Sequence, residues 1–307
     1  MNDIVAVDPV VEEYRRDGFM IFRGLIDPEL IAEAREHVEW IQRRHPHLRP
    51  EHFHHPLMRD DAFWVRMVTD ERLVDLAQRF LGPDLACFTA HYICKPPQDG
   101  QAVLWHQDGA YWNLQPMEAL TVWVAIDDSQ PDNGCLRMLP GTHRLELAPI
   151  VLRDDVPNML CSSVPAEMVD EDAAVDVVLR AGDVSIHHPN IIHGSEENRS
   201  PSRRCGLDIG YIRTSTRIGT TGLYLNPLLV RGRAIEGINR YRRWPEYEPE
   251  HTIPFRGCER WNERVHELNR RPGVVESEAR EADVVELTAH MMRRLQAGTT
   301  KQVQGSS

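Results

Sequence analysis

The sequence predicts a mainly β protein with flanking helices, its core a double-sheet jelly roll. Three observations carry that expectation. From about residue 85 the hydrophobic period changes from helical to alternating. Pro-Gly and Asn-Gly turns punctuate the short apolar runs that follow, as in a sandwich or barrel. The runs succeed one another without intervening helical segments, which argues against alternating βα units.

Taken in order, residues 10 to 45 have helical spacing in two pieces, separated by the strand-like Phe19-Met20-Ile21-Phe22 after Asp17-Gly18. The second piece has a clear start: Asp27 offers an N-cap, Pro28 suits the first helical position, and Glu29 favours the positive end of the helix dipole. Ile31, Ala34, His37, Val38 and Ile41 then recur on one face, which predicts packing on a core. The histidine-rich segment from His45-Pro46-His47 to His52-Phe53-His54-His55-Pro56 is expected to be a solvated or lid-like loop rather than a metal site. Thr69 or Asp70 caps a helix through Leu73, Leu76, Ala77 and Phe80, which Gly82-Pro83 ends.

Strands are expected over 88–94, 103–108, 120–127, 135–139, 175–179, 184–188, 191–195 and 204–213. Beyond 214 the pattern fades into a long irregular stretch, with a final helix over Asp283 to Leu295 and a disordered tail from Gly298 to Ser307. The chain thus reads as one domain: a helical part over 1–84, the jelly roll over 85–214, a C-terminal extension over 215–297 and the tail.

Composition narrows the function. A hydrophobic fraction of 41% and a charged fraction of 27% in 307 residues suit a soluble globular protein. The net charge of −12 argues against nucleic acid as a partner, since phosphate binding leaves a basic footprint. Leu120 to Ile126, the most apolar run, is too short to span a bilayer as a helix, so no membrane partner is expected. Met1 to Pro9 lacks the basic start and apolar run of a secretory signal. Six scattered cysteines without a CxxC pair read as free, mostly buried thiols. Together these point to a cytoplasmic protein acting on a small molecule.

The chemistry centres on Trp105-His106-Gln107-Asp108-Gly109-Ala110-Tyr111-Trp112. His106 and Asp108, two apart on an extended segment, share a face. With His193 downstream they supply two imidazoles and a carboxylate, the facial triad that leaves positions open on non-haem iron(II). Ser195 shares a face with His193, and the turn Glu196 to Pro201 returns the chain to Arg203-Arg204. Arg204 can therefore lie beside the His193 strand, where a cation and a hydroxyl suit one end of a dicarboxylate. Arg203 replaces it if a bulge shifts the register. His187, His188 and His143 are weaker candidates with structural roles, Lys95 reads as an exposed lysine at a loop start, and Tyr111 and Trp112 are candidate substrate-pocket walls next to Asp108.

Several stretches together, His106-Gln107-Asp108, Trp123-Val124-Ala125, Asn133-Gly134-Cys135-Leu136, Leu139 to His143, Gly182-Asp183 and His193-Gly194-Ser195 with Asn198, Ser200 and Arg204, resemble the phytanoyl-CoA dioxygenase family of iron(II)/2-oxoglutarate oxygenases. The opening Asp17-Gly18-Phe19 to Gly24-Leu25-Ile26-Asp27 resembles that family's start, and the likeness covers residues 12 to 214. It implies a cupin-like double-stranded β-helix in which His106, Asp108 and His193 hold iron(II). It further implies that 2-oxoglutarate chelates the metal while Arg204, helped by Ser195, clamps its distal carboxylate, with Gln107 and Trp123 lining the co-substrate site. Oxygen, the other co-substrate, then drives decarboxylation to succinate and carbon dioxide coupled to hydroxylation of an unactivated carbon. Halogenases related to the family carry a small residue at the position of Asp108, so the carboxylate favours hydroxylation, or desaturation or cyclisation. Two alternatives stand beside this reading. A cupin-like isomerase or direct dioxygenase without 2-oxoglutarate has no use for Arg204 and Ser195, and a non-catalytic binding protein would bury the polar triad at a cost. The substrate and the oligomeric state are left open, with specificity expected from the His45 to Pro56 segment, the N-terminal helices and residues 214 to 260.

Overall fold

The N-terminal helices begin where capping chemistry places them. In the computed structural model of the chain, which describes residues 8–219 and 226–275, the Asp8 side chain accepts from Val10 N–H and opens α1 (Pro9–Asp17). Asp27 likewise accepts from Leu30 N–H and opens α2 (Pro28–Arg44), with β1 (Phe19–Phe22) between the two helices. The predicted face of α2 is buried, His37 included. That histidine is a satisfied core residue, its ring bonded to Tyr92 Oη at 3.0 Å and Asp61 Oδ2 at 2.8 Å.

The next segment corrects an expectation. Residues 53–58 are not a solvated loop: β2 (Phe53–His54) pairs with a core strand, α3 (His55–Met58) follows, and all six residues are buried. Strand pairing satisfies the backbone there and lets the two imidazoles turn inward. The sequence also concealed α4 (Ala62–Val68), capped by Asp61, because it is buried on nearly every side and so has no amphipathic period. α5 (Glu71–Leu81) starts at the cap Asp70 and stops at Gly82, as expected.

The jelly roll follows as β3 (Leu85–Lys95), β4 (Val103–His106), β5 (Ala119–Ala125), β6 (Leu136–Met138), β7 (Val175–Val177), β8 (Val184–His187), β9 (His193–Ser195), β10 (Arg204–Arg213) and β11 (Leu228–Arg231). The larger sheet has the order β1-β8-β5-β10-β3-β11, with β2 also on β3, and the smaller sheet is β7-β6-β9-β4. Every pairing in both is antiparallel. This is the double-stranded β-helix.

The period of two on β10 divides the molecule into layers. Cys205, Leu207, Ile209 and Tyr211 pack with the buried faces of α2, α4 and α5 in the principal hydrophobic core. Each large apolar side chain buried there contributes about 1.5–3 kcal/mol. Arg204, Gly206 and Asp208 face the other way, into the space between the sheets. The C-terminal extension is more ordered than expected: β11 joins the edge of the larger sheet, and α6 (Cys258–Leu268) buries Trp261 and Val265 in the same core. The helix expected over Asp283 to Leu295 and the tail lie outside the described residues. Among the described residues no helix is long and apolar enough to cross a membrane.

Candidate active site

β4 ends at His106, Gln107 remains extended (φ −121°, ψ 122°), and Asp108 opens a short 3-10 turn over Asp108–Ala110. The strand is thus shorter than expected, yet one extended residue between them still puts His106 and Asp108 on one side. β9 lies antiparallel to β4, with His193 directly opposite His106. A Cβ on Gly194 would stand 2.9 Å from the Val103 carbonyl oxygen, so this close, irregular pairing requires glycine. Asp108 Oδ1 is 3.4 Å from His106 Nε2 and 3.7 Å from His193 Nε2, and one ligand atom from each of the three lies within 4.8 Å of the others.

Hydrogen bonds behind the triad decide which atoms face inward. His106 Nδ1 donates to the Leu104 carbonyl at 2.8 Å and His193 Nδ1 to that of Ile191 at 3.0 Å. A ring nitrogen against a carbonyl carries the proton, so both Nε2 atoms present lone pairs to the centre. Asp108 Oδ2 accepts from Thr121 Oγ1 at 3.0 Å and lies 3.3 Å from His187 Nε2. Burial works to raise the Asp108 carboxyl, but His193, His106 and His187 outweigh it and hold it well below the usual carboxylate range. Burial, reinforced by His106, keeps His193 neutral. Two imidazoles with inward Nε2 atoms and a carboxylate fit a divalent metal with open positions.

Further along the cavity lies a buried cationic end. Arg204 is fully buried and in register with Lys95 of β3. One of its nitrogens donates to the Gly134 carbonyl, while Nε and the other terminal nitrogen have no partner. Its guanidinium carbon is 5.5 Å from the ring centre of Trp123, whose indole lies against Gly206, where a Cβ would come within 1.8 Å of the ring. Lys95 is not exposed, as the sequence suggested, but fully buried, its Nζ donating to Ser195 Oγ at 2.7 Å. The strand runs further toward the loop than expected and carries Lys95 inside. Burial lowers Lys95 well below the ordinary lysine value, with Arg204 pushing the same way, and lowers Arg204 to about 10. The Lys95 Nζ is also taken up by the Ser195 and Glu196 carbonyls, whereas the orphan guanidinium N–H groups of Arg204 are costly to bury without an anion, and a carboxylate satisfies them.

Other expected residues fall into place or out of it. Arg203 faces outward onto Asp127 at 2.8 Å, and the irregularity in β10 comes only at Gly210 and Tyr211, so Arg204 is the inward arginine. Tyr111, bonded through its hydroxyl to Ser162 Oγ at 2.7 Å, and Trp112, edge-on to Phe88, both line the cavity. Gln107 does not: alternation turns it away, and its amide is used on the Asn190 carbonyl and the Ala148 N–H, each at 2.7 Å. His188 accepts from Asn190 N–H and His143 bonds the Arg15 carbonyl, both structural contacts. His54, from the segment expected to set specificity, lines the cavity with Ile93, Met159 and Leu160, and so do two residues the sequence reading did not single out, His91 and Asp208. Its volume is about 940 Å³ including the open mouth.

Comparison with known proteins identifies relatives in sequence and in fold. A probable alpha-ketoglutarate-dependent hypophosphite dioxygenase of Stutzerimonas stutzeri is 31% identical over 176 residues, covering 55% of this chain and 60% of that relative. An ectoine dioxygenase of Bordetella bronchiseptica is 25% identical over 256 residues, covering 73% of this chain and 81% of its own. A solved structure described as a non-heme monooxygenase, ThoJ, shares the fold at 23% identity with a TM-score of 0.66, over 96% of this chain and 99% of the other. EctD from S. alaskensis with bound Fe shares it at 20% identity and a TM-score of 0.55, over 71% and 81%. The family model for phytanoyl-CoA dioxygenase (PhyH) matches residues 14–206, from α1 to the arginine strand. With that span comprising well over half of the sequence, the chain belongs to the phytanoyl-CoA dioxygenase (PhyH) family.

Proposed function

We propose that this protein is an iron(II)- and 2-oxoglutarate-dependent dioxygenase that hydroxylates an unactivated carbon of a small molecule, with succinate and carbon dioxide as co-products. The observation that carries the reading is the orphaned guanidinium of Arg204, fully buried in the wall of the cavity that holds the open triad. A metalloenzyme without a dicarboxylate co-substrate has no use for it.

In this reading His106, Asp108 and His193 hold iron(II), which together with 2-oxoglutarate and oxygen supplies the oxidising power. The chain's own groups bind and orient. Arg204, stacked on Trp123, holds the distal carboxylate with Ser195, whose hydroxyl is positioned by Lys95. Thr121 and His187 keep the Asp108 carboxylate turned toward the centre. Ile93, Met159, Leu160, Tyr111 and Trp112 make a largely apolar cavity that excludes water from the reacting carbon. Relatives named as ectoine dioxygenase and, in Streptomyces griseoviridis, L-proline trans-4-hydroxylase support a small metabolite as substrate. The whole of 1–307 is proposed as one oxygenase domain, since β11 and α6 of the extension share its sheet and core. A cytoplasmic setting is part of the proposal: the buried thiols of Cys87, Cys94, Cys135 and Cys205 form no disulfide, which suits a reducing compartment.

The test is anaerobic titration with iron(II) and 2-oxoglutarate. A weak visible charge-transfer band that needs both, followed by slow succinate release on admitting oxygen, is the expected result. A protein that shows neither refutes the reading.

A further inference from the structure

We propose that the row His54, His91 and Asp208 recognises the substrate, and that the group it recognises is a cationic nitrogen, an ammonium or a guanidinium. This rests on the oxygenase reading and adds the substrate class to it.

The row is set by register. His54 of β2 is opposite His91 of β3, and His91 is opposite Asp208 of β10, so three neighbouring strands carry these side chains at one level on one face. All three line the cavity. The two imidazoles stack with ring centres 4.7 Å apart, and His91 Nδ1 is buried without a hydrogen-bond partner. Asp208 is only 7% exposed, and among the described residues its carboxyl has no hydrogen bond and no ion pair. It shares a strand face with Arg204 but lies two inward positions further along, so the guanidinium does not neutralise it.

A buried carboxyl without a partner in a binding cavity marks a ligand group of complementary chemistry. Burial keeps both imidazoles neutral, with His91 lowered to about 4, so they offer lone pairs beside the carboxyl oxygens. Burial, and after it the charge of Asp108, raises the Asp208 carboxyl above the usual carboxylate range, and a cation bound beside it opposes that shift. An acceptor-rich wall inside an otherwise apolar cavity fits an N–H-rich cation on an apolar body. Arg204 and this acidic row divide the cavity between two ligands of opposite charge.

The experiment uses two probes of similar shape, cyclohexylmethylamine and cyclohexylmethanol, with binding to the full chain measured by calorimetry and thermal shift. The amine is expected to bind about tenfold more tightly than the alcohol, with Asp208→Asn reducing that preference below about threefold. Equal binding of the two probes by the wild-type protein overturns the proposal whether or not the variant folds, and so does an amine preference that survives in Asp208→Asn. The iron and 2-oxoglutarate band, recorded without probes, separates the two readings. A normal band with no amine preference refutes this inference alone, whereas a missing band refutes the oxygenase reading and leaves the amine preference to be decided by calorimetry.

Discussion

Two parts of the cavity wall are built on different principles. At the triad every polar group has been directed by a fixed partner: Leu104 and Ile191 carbonyls behind the two histidines, Thr121 and His187 behind the carboxylate. At the row of His54, His91 and Asp208, the Asp208 carboxyl and the His91 Nδ1 are buried with nothing to direct them. The first part is preorganised for one fixed chemistry, and the second waits for a ligand that supplies the missing partners. Arg204 belongs to both patterns, with one nitrogen anchored on Gly134 and two left open.

The largest effect should come from breaking the preorganised part. Replacing His106 or His193 by Ala removes a donor that no neighbour is placed to supply, and is expected to abolish the charge-transfer band and lower succinate release by about a hundredfold or more. If His187, only 3.3 Å from Asp108, can take over as a ligand, the band survives and the division between triad and support is wrong.

Arg204 comes next. Arg204→Ala is expected to weaken 2-oxoglutarate by about 2–5 kcal/mol, the usual range for truncating one partner of a buried charge pair. Lys95→Met should cost less, because Lys95 reaches the site beside Ser195 rather than with open guanidinium donors. Titrating the band with 2-oxoglutarate at fixed iron orders the two. Equal losses would place the clamp on both cations.

The same contrast explains what the sequence made legible. The triad and Arg204 stood in short extended segments where a period of two settles the face, and the strand pattern from residue 85 gave the jelly roll. The row of His54, His91 and Asp208 depends instead on pairing between distant segments. Nothing local says that His54 of a histidine-rich stretch will pair with His91, or that Asp208 will stand beside it. α4 was hidden for a related reason, since a helix buried on nearly every side has no polar face to mark its turns. Lys95 was lost by a single residue: β3 reaches it, and the alternation of Thr89, His91 and Ile93 turns it inward to the buried contact with Ser195.

Gln107 gives the smallest expected effect on chemistry and the sharpest test of the contrast, because it lies between two triad residues in sequence. Its side chain turns away from them and ties the Ala148 N–H and the Asn190 carbonyl together, a brace for the turn before β9. Removing a buried amide leaves both backbone groups unsatisfied, so Gln107→Ala is expected to lower stability by about 1–3 kcal/mol in denaturant unfolding. The affinity for 2-oxoglutarate, read from the band on the folded fraction, should change by less than about twofold. A large loss of affinity with unchanged stability would show instead that adjacency in sequence, and not the face chosen by the alternating backbone, assigns Gln107 its role.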